Sequence, residues 1–175
     1  MKKRDINLLQ PSVKTREVLR GLTYVPFISS PPEVVKKMLE LASVNDKDVL
    51  YDLGSGDGRI LITAVQQFGV KKAVGVEVRE DLVKNSREEI KRLGLENHIT
   101  IVHGDMYKFP LHEADVVTLF LTTSANERLK PKLEKELKNG ARVVSHDYEI
   151  IGWKPVKVEN LGQHKIYLYI KNKIK

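Results

Sequence analysis

The stretch YDLGSGDGRI, residues 51–60, decides the fold. The apolar pair Val49-Leu50 leads into an acid, Asp52, and three glycines follow at alternate positions, Gly54, Gly56 and Gly58. An apolar periodic segment then begins at Ile60. This is a strand, a glycine turn and a helix start. Glycine is wanted in such a turn because the backbone must take tight or left-handed conformations, and its lack of a side chain lets a ligand approach the main chain. The spacing separates the possible ligands. A dinucleotide fingerprint puts its third glycine three residues after the second. That position is Arg59 here, and the third glycine comes one residue early. A phosphate-binding P-loop ends in Gly-Lys-Ser/Thr, and this turn does not.

Outward from the turn, strand and helix patterns alternate. Pro31-Pro32-Glu33 opens a helix, with proline suited to its first turn and Ser30 available as a cap. Strands are expected at 48–53, 72–78, 99–103, 114–121 and 141–145. Helices are expected at 58–68, 81–93 and 126–137. The strand at 114–121 carries Val116, Val117, Leu119, Phe120 and Leu121, a run suited to burial on both faces. Segments 154–160 and 164–170 read as a hairpin turning at Gly162. The pattern predicts an α/β, doubly wound, Rossmann-like sheet of seven strands closed by an antiparallel hairpin. Residues 31–175 form the domain, and residues 1–30 are a less regular extension that serves as a lid. In such sheets ligands sit at the carboxyl ends of the strands, beside the topological switch.

Composition narrows the class. The chain has 175 residues, 41% apolar, which suits one globular domain. It has no cysteine, which excludes disulfides, thiolate metal sites and a cysteine nucleophile. No apolar run approaches a membrane span, and the first ten residues, MKKRDINLLQ, lack the apolar core of a signal peptide. A cytoplasmic monomer is expected. Thirty Lys and Arg against 23 acids leave a net charge of +7, which favours an acidic partner. The lysines are nonetheless spread along the chain, with small clusters only at its ends, and abundant Lys and Glu without cysteine also suits a heat-adapted protein.

The acid-x-Gly-x-Gly-x-Gly pattern resembles motif I of the class I S-adenosylmethionine-dependent methyltransferases, whose strand order is 3-2-1-4-5-7-6. The acid has a chemical reason. A pyrophosphate wants free helix N–H groups and no carboxylate nearby. Adenosylmethionine carries an ammonium and a sulfonium and no phosphate. The resemblance implies cofactor contacts from Asp52, Gly54, Ser55, Gly56 and Gly58. Two further acids fall at strand ends: Glu77, beside Val78, to accept ribose hydroxyls, and Asp105, before Met106, to take the adenine amino group.

The likeness is closer than this class. Tyr24-Val-Pro-Phe27, SSPPEVVKKMLELA, the run Phe120-Leu-Thr-Thr-Ser-Ala-Asn126 and GARVVSHDYEIIGWKP resemble the archaeal broad-specificity protein-lysine methyltransferases. They also resemble the animal mitochondrial enzymes that methylate lysines of ATP synthase subunit c and the adenine nucleotide translocase. Phe27 stands where the archaeal enzymes tend to have Thr. The resemblance implies proteins with exposed lysines as partners. Tyr24, Thr122 and Asn126, with the carbonyls near Leu121, are candidates for orienting the amine. Tyr24 and Leu121 also count among the cofactor contacts. Tyr24 is open to a second reading, as a cover over the cofactor, and Asn126 to one as a helix cap.

No metal is assigned: Asp115, His146 and Asp147 are the only group resembling a triad, and His146 reads equally as structural. The chain lacks the Asn/Asp-Pro-Pro-Tyr segment that holds amide or nucleobase nitrogens, which disfavours those acceptors. RNA methylation stays open on the basic charge. A non-catalytic binding domain has no use for Asp52, Glu77 and Asp105 together.

Overall fold

The computed structural model describes residues 27–173. In chain order the elements are α1 (Pro32–Leu41), β1 (Val49–Leu53), α2 (Arg59–Phe68), β2 (Lys72–Glu77), α3 (Glu80–Arg92), β3 (Ile99–His103), β4 (Val116–Leu119), α4 (Thr123–Glu136), β5 (Arg142–His146), β6 (Lys157–Leu161) and β7 (His164–Ile170). The seven strands form one sheet in the order β3-β2-β1-β4-β5-β7-β6, as the resemblance implies. β1 to β5 pair in parallel, and β7 runs antiparallel to both β5 and β6. The chain winds outward from β1 to β3 and restarts on the other side at β4. The carboxyl ends of β1 and β4 therefore flank the switch point.

Alternation along the strands feeds two cores. Leu50, Ala73, Ile99, Val116 and Val144 face α1, α2 and α3 with Val34, Met38, Leu61, Ala64 and Ile90. Their neighbours in register, Tyr51, Val74, Val117 and Val143, face α4 with Ala125, Leu129 and Leu133. All four residues of β4 are buried, as a strand covered on both faces requires. No helix among the described residues is long and apolar enough to cross a membrane.

Three boundaries differ from the sequence reading, each for a local reason. β4 is shorter than 114–121 because Asp115 accepts the Val49 N–H at 2.8 Å and pairs with Lys138 at 2.7 Å, while residues 120–122 leave the sheet to start a helix. α4 begins at Thr123, not Asn126, because the Thr122 side chain accepts the Ala125 N–H at 3.2 Å. The first arm of the hairpin begins at Lys157 because the chain before it turns to bury Trp153, whose Nε1 donates to Glu134 at 2.8 Å. At α1 the N-cap is Pro31 without a side-chain bond, and Ser30 turns to His146 instead, its Oγ 2.8 Å from Nδ1.

Gly75 sets how closely the glycine turn sits on β2. A Cβ there would lie 2.5 Å from Ser55 Oγ and 2.7 Å from Leu61 Cδ1, both buried. Gly75→Ala is expected to destabilise the fold by about 1–3 kcal/mol through overpacking. Denaturant melts check this, and an unchanged midpoint would contradict the close approach.

Candidate functional site

The carboxyl ends of β1, β2, β3 and β4 surround a cavity of about 290 Å³. The glycine turn forms its floor. Gly54, Gly56 and Gly58 have φ of 79, 54 and 80°, the left-handed region that favours glycine. A Cβ at Gly56 would lie 2.4 Å from the Phe27 ring, and one at Gly54 would lie 3.0 Å from Leu121 Cδ2. The turn is tied to β2 by backbone bonds from Gly54 and Ser55 to the Val76 carbonyl, 2.8 and 3.1 Å. Glu77 completes the attachment. Its buried carboxylate accepts the Gly56 N–H at 2.9 Å and the Arg79 N–H at 2.8 Å. Ser55 Oγ is buried and has no hydrogen-bond partner among the described residues.

Asp52, Glu77 and Asp105 reach the cavity from three successive strand ends, with Val78 and Met106 beside the last two. Asp52 is 2% exposed, and its Oδ1 accepts a bond from Thr118 Oγ1 at 2.8 Å. Burial pushes its carboxyl up to about 7; the Thr118 bond opposes this, while Asp57 and Glu77 add to it. Asp105 accepts the Tyr107 N–H at 2.9 Å, which shapes the turn after β3. Asp57, a fourth cavity carboxylate, is neutralised by Arg59 at 2.6 Å. The remaining acids leave the floor negative, which suits a cation and repels phosphate.

The other wall comes from Phe27, Ile28, Ser29 and Ser30, with Phe120 and Leu121 after β4. Arg59 Nη1 donates to the Ser30 carbonyl at 2.9 Å, so the residue that breaks the dinucleotide spacing tethers this wall to the glycine turn. Arg128, stacked 3.9 Å over the Tyr107 ring, lies at the rim. Arg59, Leu82, Tyr107, Phe120 and Arg128 were not legible as site residues. Phe120 reads in the sequence as part of the strand at 114–121, and it reaches the cavity because β4 ends at Leu119.

Two sequence candidates fall elsewhere. Asn126 is fully buried and lies outside the cavity wall; its Nδ2 donates to the Tyr148 carbonyl at 3.1 Å. Thr122 is the cap of α4, and its carbonyl takes the Asn126 N–H at 2.9 Å, so that carbonyl serves the helix. In this structure both hold α4 in place. Tyr24 lies outside the described residues. Asp115 sits at the opposite end of the sheet from His146 and Asp147, so the triad imagined from sequence does not form.

The sheet order, the glycine cradle and the acids at successive strand ends define a Rossmann-like methyltransferase. Residues 52–157 match the family model of the ANTKMT methyltransferase domain, and the chain belongs to that family. It is 50% identical to a protein-lysine N-methyltransferase of Saccharolobus islandicus, over 84% of this chain and 94% of that one. It is 35% identical to the adenine nucleotide translocase lysine N-methyltransferase of Mus musculus, over 93% of this chain and 69% of that one. A crystal structure of an RNA methyltransferase from Salinibacter ruber, in complex with S-adenosyl-L-homocysteine, superposes with a TM-score of 0.81 at 42% identity, covering 85% of this chain and 97% of that one.

The raised Asp52 carboxyl has a measurable consequence. Between about pH 4 and 7 the folded protein holds a proton that the unfolded chain has released, so this group withdraws stability as pH rises through that window, by roughly 4 kcal/mol in all. Carboxylates held low by partners, such as Asp81 and Glu113, have given their stabilisation by about pH 5. In cofactor-free protein the Tm of the wild type is therefore expected to fall relative to Asp52→Asn from pH 5 to 8. Parallel curves would show that Asp52 ionises normally.

Proposed function

We propose that the protein transfers the methyl group of S-adenosylmethionine to the Nζ of lysine side chains exposed on other proteins, with little dependence on flanking sequence. The observation that carries this is the 50% identity to a protein-lysine N-methyltransferase over nearly the whole length of both chains. The cavity fits the cofactor on its own evidence: a glycine cradle that a Cβ would fill, an unpartnered Ser55 Oγ, and a buried Asp52 whose carboxyl calls for a cation. In this reading Asp52 faces the ammonium, Glu77 takes the ribose hydroxyls, and Asp105 with the Met106 N–H takes the adenine edge. Glu77 has lone pairs left for this after accepting two N–H groups. When bound, the cofactor supplies an electrophilic methyl on a sulfonium.

The chain's own part is to make the amine nucleophilic and aim it. A lysine amine has a pKa of about 10.4 in water and is protonated at neutral pH. Phe27, Ile28 and Phe120 form an apolar wall that disfavours the charged form, so the proton is lost to water as the side chain enters. Positioning then supplies much of the rate. Residues 27–30 act as part of a lid, tethered through Arg59. Among the described residues the wall beside the acceptor is largely apolar, Phe27, Ile28, Phe120 and Leu121, which offers few polar contacts beyond the lysine itself and so little discrimination among substrates. We further infer a cytoplasmic monomer, in keeping with the absence of cysteine.

Two observations favour a second reading, RNA as substrate: the 42% identity to the Salinibacter ruber RNA methyltransferase and the net charge of +7. Incubation of purified protein with labelled cofactor, mixed proteins and RNA separates the two. The expected outcome is methyllysine by mass spectrometry, abolished in Asp52→Ala. Label confined to RNase-sensitive material would mean that RNA is the substrate.

A further inference from the structure

β5 ends at His146, and the chain turns there through Asp147, a non-glycine residue with φ of 61°. The antiparallel pairing of β5 with β7 brings His164, the first residue of β7, to the same place. His146 Nε2 lies 2.8 Å from His164 Nδ1. Asp147 Oδ2 lies 3.2 Å from His164 Nδ1 and 3.3 Å from His146 Nε2. Two imidazole nitrogens and a carboxylate oxygen thus form a small triangle with nearly equal sides. Metal–ligand bonds of about 2.0–2.1 Å in a tetrahedron require ligand atoms about 3.3 Å apart.

The surroundings are those of a metal site. A ligating histidine ordinarily donates its other ring N–H to a neighbouring acceptor, which sets its tautomer and angle. His146 Nδ1 has Ser30 Oγ at 2.8 Å. The second carboxylate oxygen of Asp147 accepts the Lys165 N–H at 2.9 Å. Two bonds hold Asp147 in its left-handed conformation, this one and the 2.7 Å bond from its own N–H to the Lys165 carbonyl. Backbone strain of this kind persists where the surroundings over-determine it, often at functional sites. His146 is fully buried, and its ring stacks on Phe120, centroids 4.0 Å apart.

We propose that His146, Asp147 and His164 bind a divalent transition-metal ion of the zinc type. Two imidazoles and one carboxylate suit such an ion better than magnesium or calcium, which want oxygen. The ion staples the β6–β7 hairpin to the end of β5. Through Phe120 and Ser30, which both line the cavity, it stiffens the wall against which an acceptor would rest. Such a site would form whichever substrate is methylated.

The test uses the full chain, stripped with a chelator and then exposed to zinc or cobalt(II). About one zinc per chain should survive gel filtration, and its binding should raise the Tm by roughly 5 °C. Cobalt should give the intense visible bands of a tetrahedral site and paramagnetically shifted imidazole protons from two histidines. His164→Gln, with its fold checked by circular dichroism, should retain at least tenfold less zinc. If the wild type retains no ion and cobalt absorbs as it does in buffer, a shared proton holds the three groups and the proposal falls. Equal retention by His164→Gln would also overturn it, and the cobalt spectrum of the wild type decides even if that variant fails to fold.

Discussion

The site depends on where one carboxylate sits. Glu77 is the last residue of β2, and three parts of the cavity meet on it. Its side chain accepts the Gly56 and Arg79 N–H groups, and its backbone carbonyl accepts the Gly104 N–H at 3.0 Å. The glycine turn after β1, the start of α3 and the acidic turn after β3 are therefore fixed to one another through a single residue. A buried carboxylate that accepts backbone N–H groups forms stronger bonds than a neutral acceptor would. It also lines the cavity, where an acid suits a cationic ligand better than a phosphate.

That charge is concentrated. Asp52 lies behind the turn with Thr118 as its hydrogen-bonding partner, and the strain of burying it appears as a carboxyl that resists ionisation. The cofactor-free fold bears this cost, and a cation in the cavity would relieve it. The same arrangement explains why the turn differs from a phosphate loop. Its glycines create space for a ligand, yet α2 begins with Gly58 in a left-handed conformation and with carboxylates around its start. A pyrophosphate there would meet Asp52 and Glu77 instead of free N–H groups.

Much of this was legible from the sequence, because the signals are local and repeat with the strands. Glycines at alternate positions after an apolar run mark a turn, and the acids Asp52, Glu77 and Asp105 fall near the carboxyl ends of β1, β2 and β3 in an α/β pattern. What was not legible depended on packing and on partners distant in the chain. Thr122, Thr123, Ser124 and Asn126 can each cap a helix, and only packing decides that Thr122 does so while Asn126 turns inward to Tyr148. Ser30 looked like a cap for α1, but a histidine 116 residues away takes its hydroxyl. His164 joins His146 only through the register of β7 against β5, an antiparallel pairing inside the sheet, where sequence had suggested Asp115. Arg59 looked like a broken fingerprint and is the tether of the cavity wall.

In the proposed reading the Glu77 carboxylate both organises the cavity and contacts its ligand. The most direct measurement is calorimetry of S-adenosylhomocysteine binding to Glu77→Gln, paired with hydrogen exchange at the Gly56 amide. Glutamine keeps the shape but has a single neutral acceptor oxygen and cannot serve both N–H groups. At least a tenfold loss of affinity, about 1.4 kcal/mol, is expected, together with faster exchange at Gly56 in the unliganded protein. Wild-type affinity with an equally protected Gly56 amide would contradict that reading.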